Sequence, residues 1–390
     1  MPLANLCRVH HALLDCVAGL SAETLRRQYH PDLSPLGWHL GHVAYSGQYW
    51  LREVVQGDDS RTAGLHDRFL PEQIDKADRQ RLAGIDDIPA MAASYRDIEA
   101  QLGVLLAKEP APHPLLKEGY LGWFLLQHAA QHGETMHMVL QQREISIREG
   151  RGHRPSGFLA PEPDLQPVAE LAVADVPVVS GRYRIGSSTV VAYDNECPPY
   201  DVHLAGFCIA SQPVSNAQYL AFMLDGGYQR EEFWSDAGRD WKQGCAVASP
   251  QHWYQDQGRW CQSTPHGPDR LLPAEAVNGI SWYEADAFAR YAGCRLPREE
   301  EWEAAMRTRP DLWATTGGAW EWCADTFRPY SGFRAFPYQR YSRPWFDGRH
   351  YVLRGAGSYT DDCVRRPGFR NFYLADKRYA FSGLRLAADS

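Results

Sequence analysis

The spacing of apolar residues changes near residue 150. Before it, apolar positions recur three and four apart, which predicts helices over 5–19, 36–55, 89–107 and 119–146. Four helices of this length suit an antiparallel bundle. The run Pro31-Asp32-Leu33-Ser34-Pro35 reads as a turn, with Ser34 as the N-cap of the second helix and Pro35 at its first position. The segment EGRGHRPSGFLAPEPDLQP, residues 149–167, is rich in Gly and Pro and has no period. It divides the chain into a helical domain at 1–150, a linker at 151–168 and a second domain at 169–390. The second domain shows short β-type runs such as VPVVSGRYRIG and STVVAY, broken by Gly, Pro and Asn. Helices are predicted there at 216–224 and 281–293 and over LPREEEWEAAM. The pattern is α+β and loop-rich, without an internal repeat.

Composition narrows the function classes. The chain has 390 residues and a net charge of -8, with no basic block, so nucleic acid and anionic membrane are poor partners. No apolar run approaches the roughly 18–20 residues that span a bilayer. The opening MPLANLCRVHHALLD lacks a charged start, an apolar stretch and a cleavage site, so no secretory leader is expected. The 9 cysteines are odd in number and contain no CxxC, which favours reduced thiols in a cytoplasm over a disulfide framework. The 13 Trp and 20 Tyr point to a core built largely on aromatic packing.

The candidate chemistry lies in LLQHAAQHGET, residues 125–135. His128 and His132 are four apart, about 40° around a helix, so both imidazoles can reach one point beside it. This is a common way to hold a divalent metal. A third ligand would come from SPLGWHLGHVAYSGQYW, where His39 and His42 are both available. His137 points nearly opposite to His128. A site of three neutral imidazoles leaves coordination positions open, which suits Fe(II) with oxygen or zinc with water. A zinc hydrolase lacks an evident general base, because Glu134 projects away from His132.

The second half contains GFCIASQPVSNAQYLAFMLDGGY, VNGISWYEADAFARYAGCRLPREEEWEAA, TGGAWEWCADTFRPYSGF, YVLRGAGSY and RNFYLADKRYAFSGLRLA. In this order the blocks resemble the formylglycine-generating-enzyme-like fold, which is related to C-type lectins. SPLGWHLGHVAYSGQYWL and QHAAQHGE resemble a DinB-like four-helix bundle. The combination resembles the ergothioneine synthase family, non-heme iron(II) enzymes that use O2 to join a sulfur donor to the imidazole carbon of hercynine. The resemblance implies Fe(II) held by His42, His128 and His132, with His39 at a variable position. It implies hercynine contacts from Gln131, Asn371 and Phe372, the last beside the trimethylammonium, and an active-site tyrosine at Tyr338.

Departures from the family bear on the donor. Members that use γ-glutamylcysteine carry an arginine pair and an acidic residue that hold its charged ends. Arg68, Arg79 and Arg81 do not fall in that pattern, and Tyr373 replaces the acid. The resemblance thus leans to the selenoneine synthase branch and a selenosugar donor, its hydroxyls read by Tyr373, Gln73 and Asp67. The alternatives are an ergothioneine-type sulfoxide synthase using cysteine or γ-glutamylcysteine, and a non-catalytic metal- or ligand-binding module. Formylglycine generation itself is disfavoured, because RGAGSYTDDCVRRPGFRN offers only Cys363 where that activity needs two cysteines.

Overall fold

The helical period of the first half is realised as α1 (Pro2–Cys16), α2 (Ala22–Arg26), α3 (Leu36–Gln48), α4 (His66–Phe69), α5 (Ile88–Leu106) and α6 (Tyr120–Arg151). The computed structural model describes residues 2–108, 111, 113–151, 165–168 and 173–390. Most of the expected linker, residues 152–164, lies outside the described residues. Contacts divide the chain into two compact units, Met1–Ser146 with Thr360–Val364, and Ile147–Tyr359 with Arg365–Ser390.

In the first unit, α5 starts where the Asp87 side chain accepts from the Ala90 amide, with a proline in the first turn. It buries Met91, Tyr95, Ile98, Leu102 and Leu105, a stripe at helical spacing. Helix α1 buries Leu6, Val9 and Leu13 in the same way. Helix α3 differs: all thirteen of its residues are buried, so it has no solvent face. Glycines make this packing feasible. A Cβ on Gly37 would lie 1.9 Å from the Ile85 carbonyl oxygen, and one on Gly41 would lie 2.4 Å from the Phe69 ring. The helix continues into a π-helical segment at Tyr49–Val54.

One local expectation is corrected. Ser34 does not cap α3; Pro35 occupies the cap position and makes no side-chain cap bond. The Ser34 hydroxyl instead accepts from Arg79 Nη1 at 2.6 Å. Arg79 competes successfully for that oxygen because its buried guanidinium needs acceptors. Helix α6 also runs beyond residue 146, to Arg151.

The second unit is α+β. Its strands are β1 (Val176–Val178), β2 (Gly181–Ile185), β3 (Tyr200–Leu204), β4 (Phe207–Ile209), β5 (Trp253–Asp256), β6 (Arg259–Thr264), β7 (Gly267–Arg270), β8 (Trp320–Thr326), β9 (His350–Gly355), β10 (Asn371–Leu374), β11 (Ser382–Gly383) and β12 (Ala387–Asp389). They form sheets in the orders β1-β4-β12, β10-β9-β8-β11, β2-β3 and β5-β6-β7. The longer helices are α7 (Asn216–Leu224), α8 (Asp236–Cys245), α9 (Trp282–Tyr291) and α10 (Glu299–Thr308). Ser215 and Ser281 form capping boxes with Gln218 and Glu284. The 9 cysteines are free thiols. Among the described residues, no helix is long and apolar enough to cross a membrane.

Aromatic packing is extensive in this unit, with Trp234, Trp302, Trp320 and Trp322 fully buried. Arg354, Arg370 and Arg385 are equally buried. Arg370 grips Glu299 at 2.8 and 2.9 Å, and Arg354 joins Glu299 to Glu303. Arg385 binds Glu321 through two bonds of 2.8 and 2.9 Å, and Trp302 Nε1 donates to the same carboxylate. Removing one partner of such a pair leaves a buried charge uncompensated. Glu321→Ala is therefore expected to lower stability by about 3–5 kcal/mol. Asp311→Ala, which breaks an exposed pair with Arg309, should leave the midpoint within error. Urea unfolding followed by tryptophan fluorescence compares the two.

Candidate metal centre

The close packing of α3 sets the first candidate ligand. Because Gly41 has no Cβ, the Phe69 ring lies against the helix. The Phe69 carbonyl is thereby 2.6 Å from His42 Nδ1. Only an N–H can face a carbonyl oxygen at that distance, so Nδ1 carries the proton and Nε2 presents a lone pair. His42 Nε2 is 3.2 Å from His128 Nε2 on α6. His42, His128 and His132 each offer a nitrogen within 4.8 Å of the others. Two nitrogens at about 2.1 Å from one metal and roughly 90–109° apart would be ~3.0–3.4 Å from each other. The His42–His128 separation falls in that range, and the donor set suits a borderline divalent ion such as Fe(II) or Zn(II).

Desolvation of buried His42 and half-buried His128 and His132 keeps these imidazoles neutral, the state a metal requires. Burial lowers the His42 pKa to about 4, with the Phe69 carbonyl opposing the shift. His128 and His132 are pushed well below the ordinary histidine range by burial and by the neighbouring imidazoles. Trp38 stacks on His42 at 4.8 Å and 11°, and Phe124 stacks on His128 at 6.2 Å. The Arg79 guanidinium lies 3.8 Å from the centre of the Trp38 ring. Arg79 donates to Ser34, Pro71 and Ile74 and is itself pushed down to about 10 by burial.

His39 is buried beside this group, with its Nδ1 2.9 Å from His132 Nδ1, but it is not among the three that converge. His137 bonds its own helix through Gly133 and stays apart. Glu134 is buried and accepts from Thr360 at 2.9 Å. Gln131 is on α6 between His128 and His132, and its amide nitrogen bonds the Gln127 carbonyl at 3.2 Å.

In the second unit, Asn371, Phe372 and Tyr373 form edge strand β10, paired with Leu353, Val352 and Tyr351. The pleat sends Asn371 and Tyr373 to one face and Phe372 to the other. Phe372 stacks on Phe327 at 4.2 Å, while Tyr373 meets Tyr379 edge-on at 5.8 Å. Tyr338 is 40% exposed, and its ring centre lies 6.1 Å from that of Tyr341. Sequence reasoning missed the Phe69 carbonyl, Trp38 and Arg79. Gly41, one residue before His42, was the available signal that a neighbour approaches there.

Two family models match the chain, the DinB superfamily over residues 5–136 and the sulfatase-modifying factor enzyme 1-like domain over 161–310 and 309–390. A hercynine oxygenase of Mycolicibacterium thermoresistibile is 32% identical over 94% of this chain and 90% of its own length. The chain belongs to the hercynine oxygenase family. The Mycolicibacterium smegmatis hercynine oxygenase is 30% identical over 94% of this chain and 93% of its own. Ergothioneine biosynthesis protein 1 of Schizosaccharomyces pombe is 26% identical over 68% of this chain and 39% of its own.

The lowered imidazole pKa values have a consequence for the metal-free protein. The unfolded chain takes up protons below about 6.5, where the folded site does not. Stability should therefore fall as pH drops from about 6.5 towards 4. Replacing His42, His128 and His132 together by Gln should flatten this slope between pH 6.5 and 5. Urea midpoints in the presence of a chelator measure it; parallel slopes in both proteins would contradict neutral imidazoles at this site.

Proposed function

We propose that this protein is an iron(II)- and O2-dependent synthase that forms a carbon–sulfur or carbon–selenium bond at the imidazole carbon of hercynine. The observation that carries this reading is the convergence of His42, His128 and His132 in a chain whose near-full-length relatives bear the name hercynine oxygenase. Ferrous iron bound by these ligands would supply O2 reduction and an open position for a soft donor atom. Three neutral ligands leave the ion's charge uncompensated, which favours an anionic thiolate or selenolate. Trp38 and Phe124 shield their histidines from water, each on the ring face it covers. The nine free thiols fit a reducing cytoplasm.

The remaining roles follow from the family resemblance. Gln131, Asn371 and Tyr373 are assigned to substrate through hydrogen bonds. The resemblance also puts Phe372 beside the trimethylammonium, where cation–π attraction would be worth about 0.5–2 kcal/mol, but β10 turns Phe372 to the face opposite Asn371 and stacks it on Phe327, so Phe372 is read as packing. Tyr338 is assigned as the phenol that holds or delivers a proton. Tyr338→Phe is expected to leave metal and hercynine affinity near normal and to slow coupling at least tenfold, or to divert turnover to donor oxidation. Product analysis decides this, and a wild-type rate and product ratio would return Tyr338 to a packing role.

For the donor, the arginines of the middle segment bear on the choice. Arg79 is buried and engaged with Ser34, Pro71 and Ile74, and Arg81 pairs with Asp78. Arg68 reaches the Ala83 carbonyl. An amino-acid donor carries fixed charges that call for charge-assisted partners; of the three arginines, Arg79 is buried and committed elsewhere, while the contacts of Arg81 and Arg68 are exposed. The commitment of Arg79 supports a selenosugar donor. The ergothioneine-type alternative, with cysteine or γ-glutamylcysteine, is favoured by the name of the yeast relative. Fe(II)-loaded protein, hercynine and O2 should be supplied in turn with cysteine, γ-glutamylcysteine, a thiosugar and a selenosugar, and the products identified by mass. A selenosugar adduct with the highest kcat/KM is expected. Coupling with γ-glutamylcysteine alone would favour the ergothioneine-type reading, and no hercynine-dependent O2 uptake with any donor would leave a binding module.

A further inference from the structure

His39 is a buried histidine that the proposed chemistry does not use. Its Nδ1 is 2.9 Å from Nδ1 of His132, a hydrogen-bond distance, so one of the two nitrogens carries the proton. The rings are tilted by 50°, with centres 5.1 Å apart, so they meet edge to edge and do not stack. His39 Nε2 is also buried and has no hydrogen-bond partner of ordinary geometry, and the Ser34 carbonyl acts only weakly on this ring. Packing alone does not account for an imidazole here, since a buried polar atom without a partner costs free energy that an apolar side chain would avoid.

The two arrangements of the shared proton differ in consequence. If His39 donates, neutral His132 carries its own proton on Nε2 and its only lone pair is occupied, so no nitrogen is left for a metal. If His132 donates from Nδ1, its Nε2 is bare and available. The second arrangement repeats the logic of His42, whose Nδ1–H is taken by the Phe69 carbonyl. A metal-bound histidine ordinarily gives its second N–H to such an acceptor, which fixes its ring and tautomer. We propose that His39 is a positioning residue: its Nδ1 accepts the Nδ1–H of His132 and thereby holds Nε2 of His132 ready for the metal.

This inference rests on the metal reading above. The test compares His39→Leu, which removes the acceptor, with His39→Asn, whose side-chain oxygen can occupy the place of Nδ1. Fe(II) dissociation constants are measured anaerobically by chelator competition. The electron paramagnetic resonance spectrum of the nitric oxide adduct reports the ligand set, and circular dichroism reports folding. His39→Leu should weaken Fe(II) about 10–100-fold with the wild-type ligand set retained at saturation. His39→Asn should stay within about threefold of wild type. Equal affinity in all three proteins would overturn the proposal while leaving the metal site intact. Equal loss in both variants, with a changed spectrum, would also overturn it and make His39 a ligand. Failure of the wild-type protein to bind Fe(II) would sink the metal reading itself.

Discussion

The bond from His42 Nδ1 to the Phe69 carbonyl is the constraint on which the proposed metal centre depends. It decides which nitrogen of His42 is bare, and that nitrogen faces His128. The bond exists because Phe69 can lie against α3, and it lies there because residue 41 has no side chain. One glycine in the interior of a helix, ordinarily worth roughly 0.5–1 kcal/mol of lost stability, here sets the chemistry of a neighbouring histidine. Trp38, stacked on the same imidazole, and Arg79, stacked on Trp38, hold the other side of the ring.

The burial of the whole of α3 is the second half of this account. A helix with no solvent face cannot rotate or shift without opening the core, so the two histidines it carries are fixed in direction. Burial also removes the proton that would compete with a metal. The same low-dielectric surroundings that would penalise a charged imidazole favour a neutral donor set. The second unit is organised by a different device. Its fully buried arginines are each tied to glutamates, and they anchor strands and helices around a core rich in tryptophan. Such pairs are sensitive to the loss of either member, which makes the unit intolerant of single charge removals there.

Much of this was legible in the sequence. The helical period located the four long helices of the first unit, because each carries apolar residues at helical spacing. The i, i+4 spacing of His128 and His132 was readable because both are on one uninterrupted helix. The third candidate ligand was not decided by spacing: His39 and His42 are three apart and both face α6, and the partner at each Nδ1 separates them, the Phe69 carbonyl for His42 and His132 for His39. The cap of α3 was misread because Arg79, forty-five residues away, takes the Ser34 hydroxyl. The glutamates around Arg354 and Arg385 were equally hidden. Local sequence does not tell a buried charge from an exposed one when its partner is distant in the chain. On β10, alternation separates Phe372 from Asn371 and Tyr373, which a motif read as a string does not reveal.

X-ray absorption at the iron edge of the anaerobically Fe(II)-loaded protein tests the central claim most directly. Three imidazole ligands are expected in the first shell, with the multiple-scattering signature of the rings, falling to two in His42→Ala. A shell of oxygen ligands with fewer than three imidazoles in the wild-type protein, or an unchanged imidazole count in His42→Ala, would contradict it.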